Sequence, residues 1–264
     1  MADARWKPTL LIRASLILHA LIALLMILQP SHWRIALSIF VADHVLLTLA
    51  GLLPRSNWLG PNLTRLPAGR DEIALTIDDG PDPAVTPKVL DILDRYAVKA
   101  TFFCIGEKAA RHPDLCREIV ARGHDVENHS QRHLHWFSLL GYRGIFKELR
   151  EAQTMLTKIT GNAPLFFRAP AGLRNPFLDP ALFKLDLRLA SWSIRAYDTR
   201  IGDAEEVSRK LLGGLKKGAI LLMHDGNSAR TQDGNPVILE VLPIILSEAK
   251  NSGLNFVTLR DTLS

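Results

Sequence analysis

From residue 71 onward, short apolar runs alternate with longer stretches of helical spacing. Runs at 72–78, 99–105, 124–128, 165–169, 188–194, 218–223 and 254–259 read as strands, bounded by Gly, Pro, Asn or Asp. Helical patterns cover 86–96, 114–122, 142–160, 204–216 and 236–250. Thr86 before Pro87 predicts a helix N-cap with proline at the first helical position. Seven strands with helical crossovers imply a parallel α/β sheet, either an irregular barrel or an open doubly wound sheet. A count of seven rather than eight favours an incomplete (β/α) barrel.

The front of the chain is patterned differently. Residues 9–28 and 35–53 are two apolar stretches, each about the ~20 residues a bilayer-crossing helix needs. A signal peptide would need a small-residue cleavage site after the first stretch; instead a second apolar stretch follows. The expectation is a membrane helical hairpin turning at 29–34. Arg13 lies near a helix end and can snorkel, while Asp43 and His44 lie mid-span and are expected to face the partner helix, with His19 as their partner. Pro61, Pro67 and nearby Gly and Asn mark a linker. The predicted organisation is thus a membrane anchor at 1–54, a linker at 55–70 and a catalytic domain at 71–264.

Charge sharpens this division. The net charge of +5 resides wholly in residues 1–70, which hold seven Lys or Arg and two acids; residues 71–264 hold 25 of each sign. A neutral catalytic region gives no electrostatic footprint for nucleic acid, so no nucleic-acid partner is expected. Arg5 and Lys7 precede the first span, Arg34 lies in the turn, and Arg55, Arg65 and Arg70 follow the second. The positive-inside rule then places both ends, and the catalytic domain, on the cytoplasmic side of the cell membrane. Cys104 and Cys116 fall on a strand and a helix and are expected to be free buried thiols.

The chemistry-bearing residues follow predicted strand ends. Asp78-Asp79 closes the first strand before Gly80-Pro81, and His129-Ser130-Gln131-Arg132-His133 follows the third. Arg168-Ala169-Pro170-Ala171-Gly172 follows the fourth, Asp198 the fifth, and His224-Asp225-Gly226 the sixth. Two adjacent carboxylates ionise together only beside positive charge. A cation held by one, with the other free as a base, is the simplest solution. Each segment alone has a plainer reading: a solvated turn, an exposed histidine pair, a surface arginine, a satisfied core histidine. Five segments converging on one end of one sheet do not. The i, i+4 spacing of His129 and His133 suits one helix face binding one metal, whereas His135 has no evident partner.

These segments resemble the five motifs of the polysaccharide deacetylases (carbohydrate esterase family four), which include chitin and peptidoglycan deacetylases. The resemblance covers about residues 71–264. It implies a distorted, incomplete (β/α) barrel that uses one divalent metal, usually Zn²⁺, to hydrolyse an N-acetyl amide on an amino sugar. It further implies Asp79, His129 and His133 as metal ligands, Asp78 as general base held by Arg168, and His224 as general acid paired with Asp198. The backbone N–H of Ala171 would contact the oxyanion, and Leu222 would line the acyl pocket. Ala171 replaces a frequent aromatic residue and Thr199 a usual tryptophan; both changes remove bulk, which Trp192 partly restores. The carbohydrate is therefore an N-acylated amino sugar, in a polymer if the domain faces outward or on a lipid carrier if it faces the cytoplasm. A glycan-binding membrane protein without catalysis would lack a ligand, base or acid, and none is missing; a metallophosphatase would need a second ligand set. The sequence assigns no oligomeric state.

Overall fold

A computed structural model describes residues 5–67 and 69–263. Eight strands make one parallel sheet: β1 (Glu72–Asp78), β2 (Thr101–Cys104), β3 (Asp125–Asn128), β4 (Phe166–Phe167), β5 (Arg188–Leu189), β6 (Ile194–Arg195), β7 (Ile220–His224) and β8 (Asn255–Phe256). Their order is β5-β4-β3-β2-β1-β7-β6, with β8 paired to the start of β1. The predicted run 188–194 is two strands rather than one, and they form opposite edges of the sheet. Leu189 and Ile194 are only five positions apart in the chain, a reach of at most ~18 Å. Seven strands lying flat would set the edges ~29 Å apart. The sheet must therefore curl into a half-barrel whose two edges approach each other, as the incomplete-barrel expectation requires.

Burial follows from that shape. In β1, β2 and β7 nearly every residue is buried on both faces, as in parallel sheets covered by helices. Ile73, Leu75, Ile77, Phe102, Leu221 and Met223 pack outward into the main core beneath the helices. Ala74, Phe103, Ile220 and Leu222 fill the barrel interior with Phe166 and Trp192. Strand parity then turns Asp78 and His224, partners across the β1–β7 ladder, toward the interior side at the C-terminal rim.

The helices are α3 (Thr86–Arg95), α4 (Gly106–Arg111), α5 (Pro113–Ala121), α6 (Tyr142–Thr160), α7 (Leu178–Lys184), α8 (Ala204–Leu212) and α9 (Val237–Asn251). The α4 and α7 helices have no counterpart in the sequence reading, being six and seven residues long. Thr86 is the first residue of α3, not its cap; Val85 precedes it. The Thr86 hydroxyl instead accepts from Asp82 N at 2.8 Å and donates to Asp225. It ties the turn after β1 to the turn after β7.

At the front, α1 (Leu10–Leu28) and α2 (Trp33–Gly51) are long and apolar enough to cross a membrane and are joined by a 3₁₀ turn at Pro30–His32. Asp43 is buried between them, but its direct partner is Ser15, whose hydroxyl donates to Asp43 Oδ2 at 2.6 Å. His19 Nδ1 lies 3.7 Å from the same oxygen. His44 is exposed, yet its ring lies 5.2 Å from that of His19 on the partner helix, as expected. Residues 55–67 pack along the barrel opening. Leu63 N donates to Leu189 O and Leu63 O accepts from Ser191 N, both at 2.9 Å, extending the β5 edge. Leu59 and Leu66 are buried.

Candidate metal and catalytic site

The C-terminal rim of the half-barrel opens as a cleft of about 500 Å³ containing Asp78, Asp79, His129, His133, Ala171, Trp192, Leu222 and His224. Asp198 and Arg168 lie just beneath it. A larger groove of about 700 Å³, running from Trp6 to Leu263, has mostly apolar walls. Its one acid, Asp179, already accepts from Trp6 Nε1 at 2.6 Å.

Asp79 is where β1 ends. Its φ of 70° is left-handed, a region asparagine and aspartate tolerate better than most residues, and it reverses the chain beyond the strand. Asp79 Oδ1 is buried, makes no hydrogen bond, and lies 3.2 Å from both His129 Nε2 and His133 Nε2. His129 Nδ1 lies 2.8 Å from Arg168 O; a carbonyl only accepts, so Nδ1 carries the proton and Nε2 holds a lone pair. Burial, then the neighbouring His129, pushes His133 down to about 4, so it is neutral at pH 7. Burial would raise Asp79, but His129, His224 and His133 hold it well below the usual carboxylate range. Two imidazole lone pairs and a carboxylate oxygen thus converge, the three ligand atoms lying within 4.8 Å of one another. Ligand atoms at ~2.0–2.2 Å from a tetrahedral Zn²⁺ sit ~3.4 Å apart, so this donor set fits a divalent ion.

His129 and His133 do not share a helix face. They lie on a loop, and the left-handed backbone of Ser130 (φ 63°) and His133 (φ 51°) folds the second imidazole back onto Asp79. Ser130 Oγ accepts from His133 N at 3.0 Å and fixes that turn.

Arg168 is 1 % exposed, so it is no surface arginine. Its Nη1 donates to Asp78 Oδ1 at 2.6 Å and to Thr76 Oγ1 at 2.8 Å. Its Nε and Nη2 donate to Ala190 O and Ser191 O at 3.1 and 2.8 Å, and the guanidinium lies 4.1 Å over the Phe103 ring. One planar cation therefore ties β1 and β4 to the 190–193 crossing and fixes Asp78 with Oδ2 turned toward the metal-ligand cluster, 3.8 Å from His129 Nε2. Opposite, Asp198 grips His224 twice: Oδ2 accepts from its backbone N–H at 2.7 Å and Oδ1 from Nδ1 at 2.8 Å. Burial would lower His224, but Asp198, with Asp78 and Asp79 behind it, pushes it up to about 9. An imidazolium with Nδ1 occupied offers its Nε2 proton to the cleft.

A family profile described as polysaccharide deacetylase matches residues 65–190. A peptidoglycan N-acetylglucosamine deacetylase of Bacillus cereus is 33 % identical over 212 residues, covering 78 % of this chain and 92 % of that protein. The chain belongs to the polysaccharide deacetylase family. Its deacetylases hydrolyse amide C–N bonds and depend on a divalent metal. Solved relatives agree in fold. A peptidoglycan N-acetylglucosamine deacetylase bound to a substituted benzamide superposes with a TM-score of 0.70 at 28 % identity, over 76 % of this chain and 92 % of that one. A family 4 acetyl xylan esterase from Clostridium thermocellum, solved with a cobalt ion, gives 0.64 at 32 % identity, over 72 % and 89 %.

The remaining predicted residues also lie around this cleft. Leu222 is buried on β7 beside the cleft, and Trp192 packs against Gly172. Ala171 adopts φ 53° on the cleft wall, with Thr199 across from it, and His135 also reaches the cleft. Sequence reasoning missed the supports. Lys108 Nζ donates to Asp79 O at 2.7 Å and Asn227 Nδ2 to Asp79 Oδ2 at 3.1 Å. Asp225, pushed up to about 6 by burial, accepts from Gly226 N and Thr86. Each acts across a long sequence separation, so no spacing announces it.

Proposed function

We propose that this protein is a membrane-anchored, metal-dependent hydrolase that removes an N-acetyl or similar small N-acyl group from an amino sugar of a glycan. The single observation that carries the reading is Asp79 Oδ1, a buried acceptor without a donor, facing two imidazole nitrogens at 3.2 Å beside a carboxylate clamped by Arg168. Asp79, His129 and His133 hold the ion, and zinc suits one carboxylate and two imidazoles. A metal held there would supply Lewis acidity, lowering the pKa of water and polarising the acyl carbonyl. Asp78, oriented by Arg168, accepts the proton of the attacking water. His224, kept protonated by Asp198, gives its Nε2 proton to the departing amine nitrogen. The N–H of Ala171 faces the acyl oxygen, while Leu222 and Trp192 wall the acyl group.

The hairpin holds this cleft at a membrane, and the basic residues flanking both spans support the cytoplasmic face. Residues 1–54 serve as anchor, 55–70 as connector and 71–264 as catalytic domain.

The test is Asp78→Asn in full-length, zinc-loaded protein, measuring bound metal and acetate released from chitooligosaccharide and peptidoglycan fragments. The expected result is a loss of ~10³-fold or more in turnover with zinc content retained. Equal acetate release by both forms, or none by either, refutes the assignment.

A further inference from the structure

Arg195, on β6, forms part of the cleft wall but takes no part in the constellation above. Its guanidinium carbon lies 5.4 Å from the Trp192 ring centroid and 5.0 Å from that of Tyr197, so two aromatic faces flank it. Tyr197 holds its position with a left-handed φ of 62°. Arg195 Nε is buried without a hydrogen-bond partner. Among the described residues no carboxylate comes within 4.0 Å of Arg195, whereas the cleft's other inner cations are engaged: Arg168 by Asp78, Arg132 by Glu148, Lys108 by Asp79 O. Among the described residues Arg200 adds a second cation without a carboxylate, and the only acids lining the cleft are Asp78 and Asp79. A guanidinium stacked, partly desolvated and unpaired is arranged to receive an anion, and its planar fork suits phosphate.

The location of the cleft adds a second observation. Pro54, three residues beyond α2, abuts Gly172: a Cβ placed on that glycine would come within 2.8 Å of Pro54 Cβ. Arg55 Nη1 donates to Ser193 O at 3.0 Å, two residues before Arg195. The hairpin therefore leaves the domain at the cleft's edge. Beside that exit Arg174 Nη2 bonds Ser56 O, and Asn175 Nδ2 bonds Ser138 O and Leu140 O. This tethers a rim of exposed apolar side chains: Leu52, Leu53, Trp136, Leu139 and Phe177. Apolar and aromatic side chains in this position belong at a membrane–water interface.

We propose that the N-acyl sugar arrives from the membrane surface, joined through a phosphate ester to a lipid chain, and that Arg195 binds the phosphate as a specificity-determining residue. This rests on the deacylase reading above and narrows its substrate class. The acyl amide lies at the metal-ligand end of the cleft, the phosphate between Trp192 and Tyr197, and the lipid along the apolar rim toward the hairpin.

The test compares three probes with full-length, zinc-loaded protein in neutral phospholipid vesicles: N-acetylglucosamine methyl glycoside, soluble N-acetylglucosamine 1-phosphate, and the same sugar phosphate esterified to a long-chain alcohol in the vesicle. We expect kcat/KM to rise by about tenfold or more from the neutral to the soluble phosphate probe, and again to the vesicle-borne one. In Arg195→Gln the preference for phosphate over neutral probe collapses through KM, and Arg195→Lys recovers part of it. Glucose 1-phosphate inhibits the unaltered protein at lower concentration than methyl glucoside does, a readout that needs no variant. Equal kcat/KM for neutral and phosphorylated probes, or a preference that survives Arg195→Gln, overturns the anion site and leaves the deacylase standing. Equal use of soluble and vesicle-borne phosphates overturns membrane delivery. Acetate from none of the three overturns the deacylase reading itself.

Discussion

Among the described residues, eight non-glycine residues have positive φ; Asp79, His133, Ala171 and Asn227 line the cleft, and Ser130 and Tyr197 neighbour residues that do. Left-handed backbone costs such residues roughly 1–2 kcal/mol each, and strain of this kind gathers where side chains must be aimed. His224 shows the same investment in electrostatic form. Its value of about 9 against an ordinary 6.5 keeps the leaving-group proton available across the neutral range. Turnover is expected to fall as pH rises through about 9, read from kcat between pH 7 and 10.5. The sign for stability agrees. The folded state binds this proton more tightly than the unfolded chain, so the pairing with Asp198 contributes fully below about 6.5 and is lost as pH climbs through about 9. The gathering of Asp78, Asp79, His129 and His224 at one rim was legible in the sequence because each follows a predicted strand. The geometry of His133 was not, since a loop with two left-handed residues mimics the i, i+4 spacing of a helix. Nor was the role of Thr86, whose hydroxyl serves a turn 139 residues away rather than its own helix.

At the level of elements, the long amphipathic helix α6 was readable from its periodicity, because burial of one face demands it, and strands β1 and β7 from their short apolar runs, because burial on both faces removes alternation. The split of 188–194 into β5 and β6 was hidden: two-residue strands carry no period, and the crossing between them is dictated by closure of the half-barrel. Closure also depends on the last turn of the chain. Arg260 Nε donates to Glu127 Oε1 at 2.7 Å, while Glu127 Oε2 accepts from Leu165 N and Phe166 N, each at 2.7 Å. Burial pushes Glu127 up to about 7 despite these donors. Removing the cation by Arg260→Met leaves a buried carboxylate with backbone donors alone, a loss of about 3–5 kcal/mol when it is ionised and less when it is protonated. Melting curves are expected to show a larger deficit at pH 8 than at pH 5; an equal deficit at both would assign the loss to packing.

For the molecule as a whole, the proposed metal ion and the proposed membrane attachment are each open to measurement. An ion that binds only the native state at 100 times its dissociation constant adds about 2.7 kcal/mol. Chelation is therefore expected to lower the melting temperature along with acetate release, and Asp79→Ala should melt at one temperature with or without zinc. Sidedness is open to a direct measurement because Cys104 and Cys116 are both buried. A cysteine introduced at Arg70 becomes the sole reactive thiol. An impermeant maleimide is expected to label it in inverted vesicles and to leave it untouched in intact cells.

The pairing of β1 has a consequence for how the polypeptide matures. This first strand of the domain rests between β2, β7 and β8, the last of which ends only a few residues before the C-terminus. Asp78 pairs with His224, 146 residues further along, so β1 stays unpaired on that side until the chain has run as far as β7. Such distant pairing slows folding. Until that pairing forms, one edge of this apolar central strand stays open to pairing with another chain.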